Sequence, residues 1–166
     1  MNPVELRGPH ITLREYTPAD AEEFHAFAAH PLVFERVQDE TPPSIDDVRG
    51  WLTQLAEQAA AGGRERHELA ITEGARVIGS IGLIVDENDP ATAELGYVVH
   101  PDWWGKGVAT EAAGLMIRHG FDDLGLLRIR AGVSDDNPAS HRVLAKLGLR
   151  RIDAERYELL ATVAQA

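Results

Sequence analysis

The chain has 166 residues, 44% of them hydrophobic and 26% charged, which fits one globular domain over 1–166 and excludes a fibrous or disordered architecture. Twenty-seven acidic against sixteen basic residues give a formal charge of -11, which repels phosphate backbones and sets nucleic acid aside as a partner. The absence of cysteine excludes disulfides, thiolate metal sites and a cysteine-held acyl intermediate. Met1 to Glu5 shows no basic region leading into an apolar run, and no stretch approaches the ~18 apolar residues of a membrane span, so a cytoplasmic protein without membrane contact is expected.

In chain order, Ile11 to Tyr16 alternates apolar and polar residues as a strand with one buried face does. Thr17-Pro18-Ala19-Asp20 then sets a capping hydroxyl, a first-turn proline and a carboxylate ahead of Ala21, Phe24, Phe27 and Ala28 at helical spacing. Beyond Pro42-Pro43, Ser44 and Asp47 repeat that cap. Val48, Trp51, Leu52, Leu55 and Ala59 form the apolar stripe of a second helix ending near Gly62-Gly63. Glu68 to Thr72 and Val77 to Val85 read as a hairpin around Glu73-Gly74-Ala75, and the turn Asp86 to Pro90 leads into a strand from Ala91 to Val99. Strands joined by turns this short are antiparallel.

A helical segment from Ala109 to Phe121 precedes an alternating run at Leu127, Ile129, Ala131 and Val133, and such a strand, helix, strand crossover implies a parallel pair. Asn137-Pro138 opens the last helix, with Val143, Leu144 and Leu147 inside and Gly148 as its stop, and a strand pair closes the chain from Leu149 to about Val163.

The segment with chemical content is Trp104-Gly105-Lys106-Gly107-Val108-Ala109-Thr110. Two glycines let backbone N–H groups approach an anion, and the helix after them adds its positive N-terminal end. A phosphate or pyrophosphate suits such a turn. The spacing is not that of a Walker loop, and a Rossmann fingerprint is missing its third glycine, because Thr110 stands in that place.

Together with its surroundings the segment resembles the GCN5-related N-acetyltransferases (GNAT). The run from Glu94 to Leu149 carries Glu94-Leu95-Gly96-Tyr97, Pro101 to Gly107, Ala109-Thr110-Glu111-Ala112, Asn137-Pro138-Ala139-Ser140 and Lys146-Leu147-Gly148 in the family's order, with wording most like its ribosomal-protein-alanine N-acetyltransferase branch. The resemblance implies an α/β domain with a twisted, mixed, mostly antiparallel sheet, one splayed parallel pair and helices on both faces. It also implies acetyl-coenzyme A as cosubstrate. Gly105, Lys106, Gly107, Val108, Ala109 and Thr110 would hold its pyrophosphate, and the strand edge at Val98, Val99 and His100 its pantetheine arm. Asn137 and Ser140 would approach that arm, Ser140 near the sulfur.

A bulge near Val99 would aim one backbone N–H at the thioester carbonyl as negative charge develops there. Ser140 would return a proton to the departing thiolate, since Leu144 occupies the position where many members carry a tyrosine for that purpose. An attacking amine must first lose a proton, and Glu94 on the preceding strand is the candidate base. The bland alternatives are a helix cap for Asn137, an unremarkable helix position for Ser140 and a carboxylate that merely binds the amine or caps a sheet edge for Glu94. Phe24, Phe27, Phe34 and Trp51 belong to the region that commonly walls the acceptor site in this family.

The expected reaction is direct acetyl transfer to a primary amine, either a protein N-terminus or a small molecule. The rival is an acyl-coenzyme A sensor that holds the ligand without transferring it. The seven histidines show no H-x-x-x-H or H-E-x-x-H spacing, so no metal is expected. Homodimers are frequent in this family, but no exposed heptad pattern here points to one.

Overall fold

The computed structural model describes residues 3–33, 42–135 and 137–161. Eight strands form one sheet in the order β1-β2-β3-β4-β5-β6-β8-β7. They are β1 (Glu5–Arg7), β2 (Thr12–Arg14), β3 (Arg66–Glu73), β4 (Arg76–Val85), β5 (Thr92–Val99), β6 (Arg128–Gly132), β7 (Arg150–Arg151) and β8 (Arg156–Leu160). Every neighbouring pair is antiparallel except β5 and β6, which run parallel and are linked by a helical crossover. The helices are α1 (Ala21–Ala28), α2 (Ile45–Ala61), α3 (Val108–Asp122) and α4 (Pro138–Lys146).

Alternation along the strands feeds two cores, one on each face of the sheet. Leu69, Ile71, Ile81, Leu83, Leu95 and Ile129 point toward α3 and α4 and meet Ala112, Met116 and Leu144. On the other face Ala70 and Val77 meet Phe27, Val48, Leu52 and Leu55 from α1 and α2. Each fully buried Leu, Ile or Phe among these contributes about 1.5–3 kcal/mol. Gly120 lets α3 lie close on the sheet, because a Cβ there would meet Leu83, Leu126 and Ile129 side chains at 3.0–3.1 Å.

The sequence expectations hold for the order of elements and differ at particular ends. β1 is an addition to them: Glu5-Leu6-Arg7 is too short to show a period, and it exists because β2 offers it an edge, with Leu6 opposite Leu13. Pro18–Asp20 forms a 3-10 turn before α1, where the Asp20 carboxylate takes the Thr17 N–H and both Nη atoms of Arg14. Ser44 and Asp47 cap α2 reciprocally as expected. Leu127 lies before β6 and is 63% exposed, so the alternating pattern runs one residue beyond the strand. Phe34 and Val163 fall outside the described residues.

β5 is paired along its whole length on one side only. It pairs with β6 from Thr92 opposite Arg128 to Leu95 opposite Ala131, while its pairing with β4 continues to Val99 opposite Gly79. Gly96 to Val99 therefore carry an edge that β6 does not cover.

Candidate active site

The N-terminus of α3 leaves backbone N–H groups without partners. Gly105 and Gly107 hold φ of 75° and 79°, the left-handed region that favours glycine, and this turns the chain sharply into the helix. Gly107 is the N-cap and supplies no side-chain hydrogen bond. The first intrahelical bond runs from the Glu111 N–H to the Gly107 carbonyl, so Val108, Ala109 and Thr110 have no helical acceptor for theirs. Glu111, which would otherwise oppose an anion there, is tied elsewhere. Its carboxylate takes the N–H groups of His10 and Ile11 and the His10 ring. Burial works to raise its pKa, and those hydrogen bonds outweigh burial and hold it low.

The open edge of β5 converges on the same place. The His100 N–H donates to the Ile78 carbonyl on β4 at 2.8 Å. Because successive strand residues direct their N–H groups to opposite sides, that of Val99 points to the uncovered side. The Val99 carbonyl, also on that side, accepts the Trp104 indole N–H at 2.8 Å. The expected bulge near Val99 is not found: the register of β5 with β4 runs unbroken from Ala93 to Val99. The irregularity lies one strand further in, between Ile71 and Thr72 opposite Gly79 and Val77. Divergence from β6 opens the edge without a bulge.

A cleft of about 610 Å³ joins the two features. Val98 and Val99 form one wall, with Gly105, Gly107, Val108, Ala109 and Thr110 at one end and Asn137 and Ser140 across from the strand. The Asn137 side chain accepts the Ser140 N–H at 3.3 Å, so it caps α4 and borders the cleft at once. Lys106 and His100 are not among the cleft's lining residues. Lys106 sits over the Trp103 ring with its Nζ 6.0 Å from the centroid, and His100 caps a short turn by accepting the Asp102 N–H on Nδ1. Burial, with His30 and Arg76 nearby, lowers the His100 pKa despite Asp102, which agrees with that acceptor role.

Glu94 is not brought to the cleft. It is exposed, paired between Ile84 and Arg130, and borders a separate shallow pocket of about 330 Å³. Five residue steps along the strand separate it from Val99, about 16 Å at ~3.3 Å per residue. The aromatic residues of α1 and α2 are not among the cleft's lining residues either. Phe27 is 0% exposed, and Phe24 packs against Phe27 and Trp51 at 4.8 and 5.2 Å between centroids.

Further residues line the cleft that the sequence pattern does not assign to it, among them Tyr97, Trp104, Arg142 and Lys146. The last two are legible in principle, since they stand four apart on one face of the helix that Asn137 opens and are cations in an acidic chain. Tyr97 shares the side-chain face of Val99 by strand alternation, a signal that marks a face and not a cleft. Among the described residues no group of three or more His, Cys, Asp or Glu is arranged to hold a metal ion, and no helix is long and apolar enough to cross a membrane.

Known proteins resemble this chain in sequence and in fold. The family model of the acetyltransferase (GNAT) domain matches residues 10–150. The uncharacterized N-acetyltransferase YoaA of Bacillus subtilis strain 168 is 30% identical over 146 residues, covering 88% of this chain and 82% of that one. The fold matches ribosomal-protein-S5-alanine acetyltransferase from Vibrio fischeri at a TM-score of 0.81 and 17% identity, over 95% of this chain and 96% of that one. It also matches the microcin C7 self-immunity acetyltransferase MccE, solved with acetyl-CoA and AMP, at a TM-score of 0.75 and 19% identity, over 93% and 94% of the two chains.

Proposed function

Because the chain belongs to the acetyltransferase (GNAT) domain family, we propose that it transfers acetyl from acetyl-coenzyme A directly to a primary amine, with both substrates bound together. The observation that carries this reading is the convergence of an uncapped helix N-terminus and an uncovered strand edge on one cleft. The N–H groups of Val108, Ala109 and Thr110, with the positive end of α3, bind the pyrophosphate. The edge from Tyr97 to Val99 pairs with the amides of the pantetheine arm as a further strand would. Arg142 and Lys146, cations that line the cleft from α4, would meet the phosphates.

When bound, the thioester supplies an activated acetyl group; the chain's own residues orient it and handle charge. The Val99 N–H stabilises negative charge on the thioester oxygen, a contribution that is large because the donor is fixed before reaction. Ser140 faces the sulfur and donates a hydrogen bond as the thiolate departs. Glu94 lies too far away for direct contact, so its part in removing the amine proton runs through water on the sheet surface. Glu94→Gln is accordingly expected to lower kcat less than Ser140→Ala does.

Calorimetric titration with acetyl-coenzyme A, followed by thiol release in the presence of peptides with varied first residues, polyamines and aminoglycosides, tests the reading. Binding with release on one acceptor class is the expected result. Binding with no release from any acceptor would favour a sensor, and failure to bind would remove the cofactor assignment of Gly105 to Thr110.

A further inference from the structure

Among the described residues, the Tyr97 hydroxyl is the one buried side-chain N or O atom with no hydrogen-bond partner. A buried hydroxyl left unmade is costly, and a fold retains one where another state completes it. Tyr97 lies on β5 two residues before Val99, its side chain on the same face of the sheet, and it lines the cleft together with Ser140 of α4. Burial raises the Tyr97 pKa and the nearby Ser140 side chain works against it, although the two hydroxyls form no hydrogen bond of good geometry. Leu144, one turn further along α4, is fully buried and has no proton to give.

The two hydroxyls hold two protons between them. The Tyr97 oxygen is itself buried and has Ser140 as the partner within reach, and once its proton is spent on the Ser140 Oγ the proton of Ser140 is left to face the cleft. We propose that Tyr97 is a positioning residue for acetyl transfer: its O–H donates to the Ser140 Oγ when the donor fills the cleft and fixes the Ser140 O–H on the thioester sulfur. This rests on the acetyltransferase reading above. In the step itself the C–N bond forms and the C–S bond breaks, with its electron pair passing to sulfur. The nitrogen loses one proton to water and the sulfur regains one on release, so no net proton is taken up. Tyr97 remains neutral throughout, as its burial favours.

The test compares wild type, Tyr97→Phe, Ser140→Ala and the double variant. Phe keeps the ring and removes only the unpaired hydroxyl, so the melting midpoint should not fall and the acetyl-coenzyme A dissociation constant should stay within about twofold. The expected result is a kcat lowered about tenfold in Tyr97→Phe and a double variant no slower than Ser140→Ala alone, as befits two groups acting as a unit. A second readout needs no turnover. Calorimetric affinity for free coenzyme A, measured against acetyl-coenzyme A at pH 7 and pH 9, should gain on raising the pH in wild type, because the hydroxyl pair favours the thiolate, and lose that gain in Tyr97→Phe.

An unchanged kcat, losses that multiply in the double variant, or an unaltered pH gain would each overturn the proposal. If wild type binds the donor but releases no thiol, the transferase reading fails while the coenzyme A titration still decides whether Tyr97 acts on Ser140. No binding of either ligand by wild type overturns both.

Discussion

At Gly107 a φ of 79° sits at the head of a fifteen-residue helix, and any side chain there meets the left-handed region at a cost of about 1–2 kcal/mol. Gly107→Ala is expected to lose about that much in chemical denaturation and to weaken acetyl-coenzyme A binding, because relaxing the strain rotates the turn that presents the N–H groups. Gly107→Asn, which tolerates this region better, should lose less on both counts. A Cβ at Gly107 would meet no atom within 4 Å, so a loss would report backbone conformation and not crowding. Lys146 is a simpler case. As an exposed cation lining the cleft, it should contribute the ~0.2–1 kcal/mol of a solvent-screened ion contact, and Lys146→Ala should weaken donor binding by up to about fivefold and flatten its salt dependence.

Among the elements, β3 holds two neighbouring groups with opposite pH behaviour. Burial, with the Arg64 guanidinium and the His119 ring nearby, lowers the His67 pKa from 6.5 to about 4. Below pH 6.5 the unfolded chain takes up a proton at this residue that the folded chain refuses, so stability falls as the pH drops from 6.5 toward 4. Glu68 runs the other way. Burial raises its pKa against the Ser80 hydrogen bond and Arg66, so its contribution is present below its ordinary value of 4.5 and fades as the pH rises above it. Melting midpoints of His67→Gln between pH 4 and 7 should therefore slope less than those of wild type. An identical slope would mean that other groups govern the acid limb.

For the molecule as a whole, the sheet is continuous, but its two parts meet through the short β5–β6 ladder beside the cleft. A ligand seated there contacts β5, α3 and α4 together, and binding the folded state alone stabilises it by mass action. Acetyl-coenzyme A at a hundred times its dissociation constant contributes about 2.7 kcal/mol. For a domain of this size that corresponds to a rise of roughly 5–10 °C in the melting midpoint. Differential scanning calorimetry with and without the donor checks this, and Gly107→Ala should show a smaller rise at the same ligand concentration. The formal charge of -11 also bears on the acceptor: a cationic amine should show a KM that rises with ionic strength, whereas a neutral or acidic peptide should not.

Patterns local to the chain are readable before folding. Alternation at Leu69 and Ile71, the reciprocal cap of Ser44 and Asp47, and the glycine pair ahead of α3 each depend on residues a few positions apart, and each holds in the structure. The pairing of Asn137 with Ser140 as a cap is legible for the same reason. What depends on neighbours distant in sequence is not. β1 exists through its pairing with β2, and the edge at Val99 is uncovered because β6 diverges after Ala131, with no bulge in β5. Glu94 alternates away from Val99 as its position requires, but only strand length and pairing place it at a different pocket. The Tyr97 hydroxyl is chemically significant only because tertiary packing buries its oxygen and sets Ser140 beside it. Periodicity and capping are properties of short stretches, whereas burial, uncovered edges and the distance between two side chains arise when segments far apart in the chain are brought together.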